Sequence, residues 1–318
     1  TKTLLYSAKT YDSAKHASKY AVNIPEVSFD LPKIIARKSK VVRKLVLGVK
    51  AKLTANNVTI VSGEAQIIDK NTVRCGEETY EGENLILCTG SETFIPPIPG
   101  VDAVNYWTHR DALDSKELPA SLAIVGGGVI GMEFASFFNS LGVQVTVVEM
   151  MDEILGGMDK ELSALLRAEY AKRGIKFLLS TKVVGLSQTE EGAVVSYENA
   201  EGNGSVIAEK LLMSVGRRPV TKGFGLENLN LEKTERGAIR VNEKMQTSVP
   251  GVYVCGDLTG FSLLAHTAVR EAEVAVHSIL GKEDAMSYRA IPGVVYTNPE
   301  IAGVGETEES ALAKGITY

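Results

Sequence analysis

A turn of glycines followed by a single carboxylate carries the most specific chemistry in this chain. Gly126, Gly128 and Gly131 fall at the spacing G-x-G-x-x-G, and Gly127, Val129 and Ile130 complete the run GGGVIG. Such a turn suits the pyrophosphate of a dinucleotide. Gly126 permits the tight bend, Gly128 lets phosphates approach the backbone, and Gly131 lets a helix pack closely on a strand. The free N–H groups and partial positive charge of the helix N-terminus then face the phosphates. Glu149 follows near the roughly 20-residue interval at which an acid meets the adenosine ribose, where its carboxylate can accept from both hydroxyls.

These residues work only if a strand, a turn, a helix and a second strand succeed one another. Ala123, Ile124 and Val125 form a short apolar run that stops at the glycines, and Phe134, Phe138 and Leu141 recur at helical spacing. Gly142 sits where a helix C-cap belongs, and Val143 to Val148 supply a second strand ending on Glu149. A glycine-rich turn in an ordinary α/β domain would explain the glycines alone. It does not explain the complete βαβ pattern with its terminal acid.

The 318 residues are 44% hydrophobic and 23% charged, enough for two domains and part of a third. A formal net charge of −5 argues against general nucleic-acid binding, and no apolar run approaches the length of a bilayer span. No signal peptide is visible. Cys75, Cys88 and Cys255 lie far apart in sequence without a C-x-x-C pattern. They offer no metal site, read as small buried hydrophobes, and suit a reducing compartment, here taken as the cytoplasm. The chain opens at Thr1 directly into a helical pattern and reads as cut from a longer protein.

Taken in order, Leu4, Leu5, Ala8, Tyr11, Ala14 and Ala17 predict an amphipathic helix over 3–20. Asp30 and Pro32 start a second, with Ile34, Ile35, Val41, Val42, Leu45, Val49 and Leu53 as its apolar face. Its opposite face carries Lys33, Arg37, Lys40, Arg43, Lys44 and Lys50; without interleaved aromatics this reads as a solvated face. Short strands are expected at 58–61, 65–68, 72–74 and 85–88, then a proline-rich connection from Pro96 to Pro119. After Glu149 come a helix near 159–172, a strand at 176–179, an antiparallel meander over 183–207 and an apolar strand at 211–215. Beyond Arg240 the pattern predicts a buried strand at 252–255 ending on Gly256-Asp257, a helix over 263–280 and a strand at 294–296.

The stretches GGGVIGME, VVE, SVGRRP, VYVCGD, LLAHTA and YTNPEIAGVGETEES, in this order, resemble the dihydrolipoamide dehydrogenase branch of the FAD-dependent pyridine-nucleotide disulfide oxidoreductases. The similarity runs from Thr1 to Tyr318. It implies an α/β protein of Rossmann-like doubly wound domains, with an NAD domain inserted into an incomplete FAD domain. The expected divisions are FAD domain at 1–117 and 240–288, NAD domain at 118–239, and the start of an α+β dimerisation domain at 289–318. By the same resemblance Lys2 would sit beside the flavin N5 with Glu133 as its ionic partner. Gly256 and Asp257 would meet the ribityl chain, and Leu263, Leu264, Ala265 and His266 the flavin ring. Ala65, Thr89, Gly90 and Ser91 would line the adenosine end, while Val183 and Gly216 flank NAD.

His266 and Glu271 mimic the spacing of the family's acid–base pair, but that pair belongs to a C-terminal domain, and His266 reads as a backbone-contact position. Three family features have no counterpart in this sequence: the first glycine box, both cysteines of the redox disulfide, and the C-terminal acid–base histidine. The resemblance therefore implies an internal fragment of a homodimeric enzyme that serves the lipoyl domains of 2-oxoacid dehydrogenase or glycine cleavage complexes. The fragment keeps the hydride end of the relay, binds FAD weakly or not at all, and does not oxidise dihydrolipoamide, because none of the three cysteines supplies a pair. A noncatalytic NAD-binding module, or a related flavin enzyme such as mercuric or glutathione reductase, NADH oxidase or soluble transhydrogenase, is the alternative.

Overall fold

Five short apolar stretches become one parallel sheet in the computed structural model, which describes residues 1–318. Its strands lie in the order Tyr106–Trp107, Lys210–Met213, Ser121–Val125, Gln144–Val148 and Lys176–Leu178. All four pairings are parallel. A strand covered on both faces is apolar throughout rather than alternating, which is why Leu122, Ala123 and Ile124 are all buried. The helix Val129–Ser140 lays Phe134, Phe137 and Phe138 on one face of the sheet. Val195, Leu186 and Ala208, from an antiparallel sheet of Lys182–Thr189, Gly192–Asn199 and Gly202–Ala208, close the other.

The chain divides into two units: residues 1–49, 94–216 and 292–318 form the first, and residues 50–93 and 217–291 the second. These divisions differ from the domain limits expected at 117, 239 and 288. Residues 1–49 group with the glycine box because Leu4, Leu5, Ala8, Leu31 and Ile35 enter the same core as Phe134 and Phe138. In the second unit, Val252–Val254 pairs parallel with Leu85–Leu87. Ala65–Ile67, Thr72–Cys75 and Glu78–Glu81 form a separate antiparallel sheet.

Three local expectations change. Residues 58–61 form no strand, and Val58, Ile60 and Val61 are exposed. The proline-rich connection contains the edge strand Tyr106–Trp107 and a helix, His109–Asp114, started by a capping box between Thr108 and Asp111. The long helix Leu31–Ala55 forms, yet only Leu31, Ile35 and Lys38 are buried on it. Its later apolar positions, Val42, Leu45, Val49 and Leu53, are exposed, with Leu45 at 65%. Helical periodicity marks a face, but whether anything covers that face is a tertiary fact.

Candidate functional sites

In the first unit the C-terminal ends of three adjacent parallel strands converge on the glycine turn. The chain goes from Ser121–Val125 to one neighbour, Gln144–Val148, and later returns to the other side at Lys210–Met213. Ligands of open α/β sheets bind at such a switch point, outside the carboxyl ends of the strands. Gly126 adopts φ +103 and lies so close to the strand on its other side that a Cβ there would meet the Ser214 carbonyl oxygen at 2.3 Å. A Cβ on Gly131 would meet the Gly126 carbonyl oxygen at 2.1 Å. Gly128, the N-cap of the helix, has nothing within 4 Å of that position. The first and third glycines are thus required by the protein's own backbone, and the second opens onto space.

Glu149 is fixed at this rim. Its Oε2 accepts from the Gly127 N–H at 2.6 Å and its Oε1 from the Met151 N–H at 2.7 Å. Each carboxylate oxygen has a second lone-pair direction left for a hydroxyl. The turn before Val183 is tied to the same place, since Thr181 N–H donates to the Glu149 carbonyl and Ser180 N–H to that of Met151. Gly216, at φ +114, follows Ser214. The Ser214 hydroxyl is buried and meets no hydrogen-bond partner within the protein. These residues fit a dinucleotide.

Lys2 and Glu133, expected as an ion pair, meet instead through Tyr296. The Lys2 ammonium lies 4.2 Å from the centre of the Tyr296 ring, and Glu133 accepts from the Tyr296 N–H at 3.1 Å. Glu133 is 8% exposed. Burial pushes its carboxyl above the ordinary glutamate range, while the Tyr296 N–H and the charge of Lys2 pull it back.

The second unit brings Thr89-Gly90-Ser91 and Gly256-Asp257 together. Ser91 donates to the Asp257 carboxylate, and Arg217 Nε donates to the Ser91 hydroxyl at 2.7 Å. Arg217 comes within 3.9 Å of Asp257 itself. Beside it opens a cavity of about 510 Å³ whose lining includes Arg218, Arg236, Arg240 and Leu263. Leu264 is the N-cap of the helix Ala265–Ile279, with His266 in its first turn. Ala65 belongs to a strand that pairs with Thr72–Cys75 and is held to residues 223–228, where Ile67 N–H donates to the Phe224 carbonyl and the Asn228 amide to the Ile67 carbonyl. Ser91, Asp257 and Arg217 thus form one polar cluster in this unit. The sequence holds one glycine box, in the first unit, so the second has no equivalent cradle for the FAD pyrophosphate within residues 1–318.

The pyridine nucleotide-disulphide oxidoreductase family model matches residues 1–272. The chain belongs to the pyridine nucleotide-disulphide oxidoreductase family. Dihydrolipoyl dehydrogenase 1, mitochondrial, of Arabidopsis thaliana is 36% identical over 100% of this chain and 64% of its own length. Dihydrolipoyl dehydrogenase of Thermus scotoductus is 39% identical over 99% of this chain and 68% of its own. Among solved structures, LpdA of Mycobacterium tuberculosis superposes with a TM-score of 0.90 at 26% identity, covering 99% of this chain and 70% of that one. The chain thus spans about two thirds of the length of such relatives. Proteins of this family use FAD and NAD, and the Rossmann-like α/β class expected from the motifs is the one observed. No helix is long and apolar enough to cross a membrane.

Within this family member, sequence reasoning overlooked Ser214, Tyr296 and Arg217, although the run GRRP marked the place of the last. It also separated Cys88 from Cys255, which the strand register makes neighbours. Glu271 takes a supporting role. It is fully buried and accepts from the Gly256 N–H at 2.5 Å and the Tyr288 hydroxyl at 2.7 Å.

Burial raises the Glu271 carboxyl, with the hydrogen bonds from Tyr288, Gly256 and Thr259 acting the other way. A folded-state value above the unfolded one means the native state binds the proton more tightly. The group's contribution is full below the unfolded value of about 4.3 and is lost as pH rises through the raised value. Glu271→Gln is expected to flatten that loss, read by urea unfolding at a series of pH values from 4 upward. Parallel curves for the two proteins would show that this carboxyl does not set the slope.

Proposed function

We propose that this chain supplies the NAD-binding, hydride-accepting part of a dihydrolipoyl dehydrogenase. The observation that carries the reading is the rim of the parallel sheet, where Gly128 opens onto space and Glu149 is held by two backbone N–H groups. When bound, FAD and NAD supply the electron and hydride chemistry. Val129, Ile130 and Gly131 would present the first-turn N–H groups to the pyrophosphate, Glu149 would be the ribose acceptor, and Val183 and Gly216 would flank NAD. The Lys2 and Glu133 charges, linked through Tyr296, would hold a cation beside the flavin.

On the same reading residues 1–117 and 240–288 contribute to an FAD domain, 118–239 to the NAD domain and 289–318 to a dimerisation domain. The FAD contacts would come from Ala65, Thr89, Gly90, Ser91, Gly256, Asp257, Leu263, Leu264, Ala265 and His266. The electron source would be a lipoyl domain of a multienzyme complex, the assembly a homodimer, and the location the cytoplasm, whose reducing conditions suit three unpaired cysteines.

The test is direct. The purified chain is expected to quench or enhance NADH fluorescence saturably, with a dissociation constant in the micromolar range typical of such cofactor sites, about −8 kcal/mol. The same preparation is expected to carry far less than one flavin per chain. Absence of saturable NADH binding removes the proposal, and a stoichiometric flavin absorbance would show that the FAD site needs no second glycine box.

A further inference from the structure

Strand alternation sets two of the three cysteines side by side. Leu85–Leu87 and Val252–Val254 run parallel with Leu85 opposite Val252, Ile86 opposite Tyr253 and Leu87 opposite Val254, so the next residue on each strand is a cysteine. The Cys255 N–H donates to the Leu87 carbonyl at 3.1 Å, which carries the register past the last paired residues. Leu85, Leu87, Val252 and Val254 face one apolar cluster, whereas Ile86, Tyr253 and Cys255 face the other. A period of two then puts Cys88 on the Cys255 side. Neighbouring strands lie about 4.8 Å apart, within the span of roughly 4.4 to 6.8 Å between Cα atoms that a disulfide bridges. Both thiols are free, Cys88 exposed and Cys255 buried.

We propose that Cys88 and Cys255 form a dithiol centre that exchanges with small-molecule disulfides, Cys88 attacking and Cys255 resolving. The proposal stands apart from the NAD reading and uses neither the glycine box nor the residues assigned to a flavin. Its chemistry balances as ordinary exchange. The Cys88 thiolate attacks one sulfur of the small disulfide, forms a mixed disulfide and expels one thiolate. Cys255 then loses its proton, attacks the Cys88 sulfur and expels the second thiolate. One small disulfide becomes two thiols, and the two protein thiols become one disulfide, giving up two electrons and two protons.

The surroundings divide these roles. Hydrogen bonding with the neighbouring Cys255 thiol lowers Cys88 to about 7 against the opposing effect of its burial, a range in which much of it is thiolate at neutral pH. The same hydrogen bond, burial and the nearby Glu271 carboxylate push Cys255 up, so it stays protonated while Cys88 carries charge. Once Cys88 is capped as a mixed disulfide that charge is gone, and Cys255 ionises more readily. The titratable groups packed on this side are Glu271 and Tyr288, joined by a hydrogen bond of 2.7 Å.

Reduced, desalted protein treated with oxidised glutathione near pH 7.5 tests the proposal by intact mass, peptide mapping and thiol counting. The expected wild-type product has lost two hydrogens, retains the Cys75 thiol and maps a Cys88–Cys255 link. Cys255→Ser is expected to stop at one glutathione adduct on Cys88. Cys88→Ser should form no internal link and lose thiol roughly 10-fold more slowly. Differential alkylation of the wild type reads the Cys88 and Cys255 rates without any substitution, should a variant not fold. A persistent adduct on wild-type Cys88, a covalent dimer on a nonreducing gel, or three thiols surviving treatment would overturn the assignment.

Discussion

Titration of this chain is expected to give a dissociation constant for NADH roughly 100-fold below that for NADPH, about 2.7 kcal/mol, with Glu149 responsible. Its carboxylate can accept charge-assisted hydrogen bonds from the ribose diol, each worth on the order of 1.5 to 3 kcal/mol. Against a 2′-phosphate the same group meets nearly two negative charges, and at an effective dielectric of about 20 that repulsion costs several kcal/mol. The structure sharpens the expectation. With one oxygen on the Gly127 N–H at 2.6 Å and the other on the Met151 N–H at 2.7 Å, the carboxylate is not free to swing away. Met150, Met151 and Asp152 follow it, so no arginine stands immediately beyond to receive a phosphate. Glu149→Gln keeps an acceptor but removes the charge, and Glu149→Ala removes both. Each should reduce the preference to within a few-fold. Equal affinities in the wild type, or a preference that persists in both variants, would take Glu149 out of cofactor selection.

Alanine at two glycines of one turn is expected to fail in two different ways. At Gly126 the backbone sits at φ +103, and the new Cβ would overlap the Ser214 carbonyl at 2.3 Å. Backbone strain of roughly 1–3 kcal/mol and overpacking of a similar size predict a loss near 4 kcal/mol. That corresponds to a fall in Tm of about 10 °C. At Gly128 nothing lies within 4 Å of the added methyl, so stability should change by about 1 kcal/mol or less. The methyl instead occupies the space through which a pyrophosphate would approach, and NADH affinity should drop at least ~30-fold, about 2 kcal/mol. Thermal melts and NADH titrations on both proteins separate the effects. A Gly128→Ala protein that binds like wild type would show that the phosphates do not lie over this turn.

The glycine spacing, the apolar strand before it and Glu149 after it determined the βαβ unit from sequence alone, because each is a local requirement of backbone conformation and periodicity. The same holds for the helix Ala265–Ile279 and the antiparallel meander, whose patterns fit only one local structure. Family resemblance assigned Ser91 to the adenosine end and Asp257 to the ribityl chain of FAD, and gave no sign that the two side chains meet. Their hydrogen bond, and the Arg217 that completes it, join residues more than a hundred positions apart and follow no local rule. Tertiary structure decided what covers each apolar face. Residues 3–20 and the start of the second helix gained the Phe134 and Phe138 core, while Leu45 and Val49 on that helix gained no cover. It likewise decided that Lys2 reaches Glu133 through Tyr296, and that Cys88 and Cys255 are neighbours. Parallel pairing joins strands distant in sequence at a register fixed by burial, so spacing along the chain carried no sign of the dithiol.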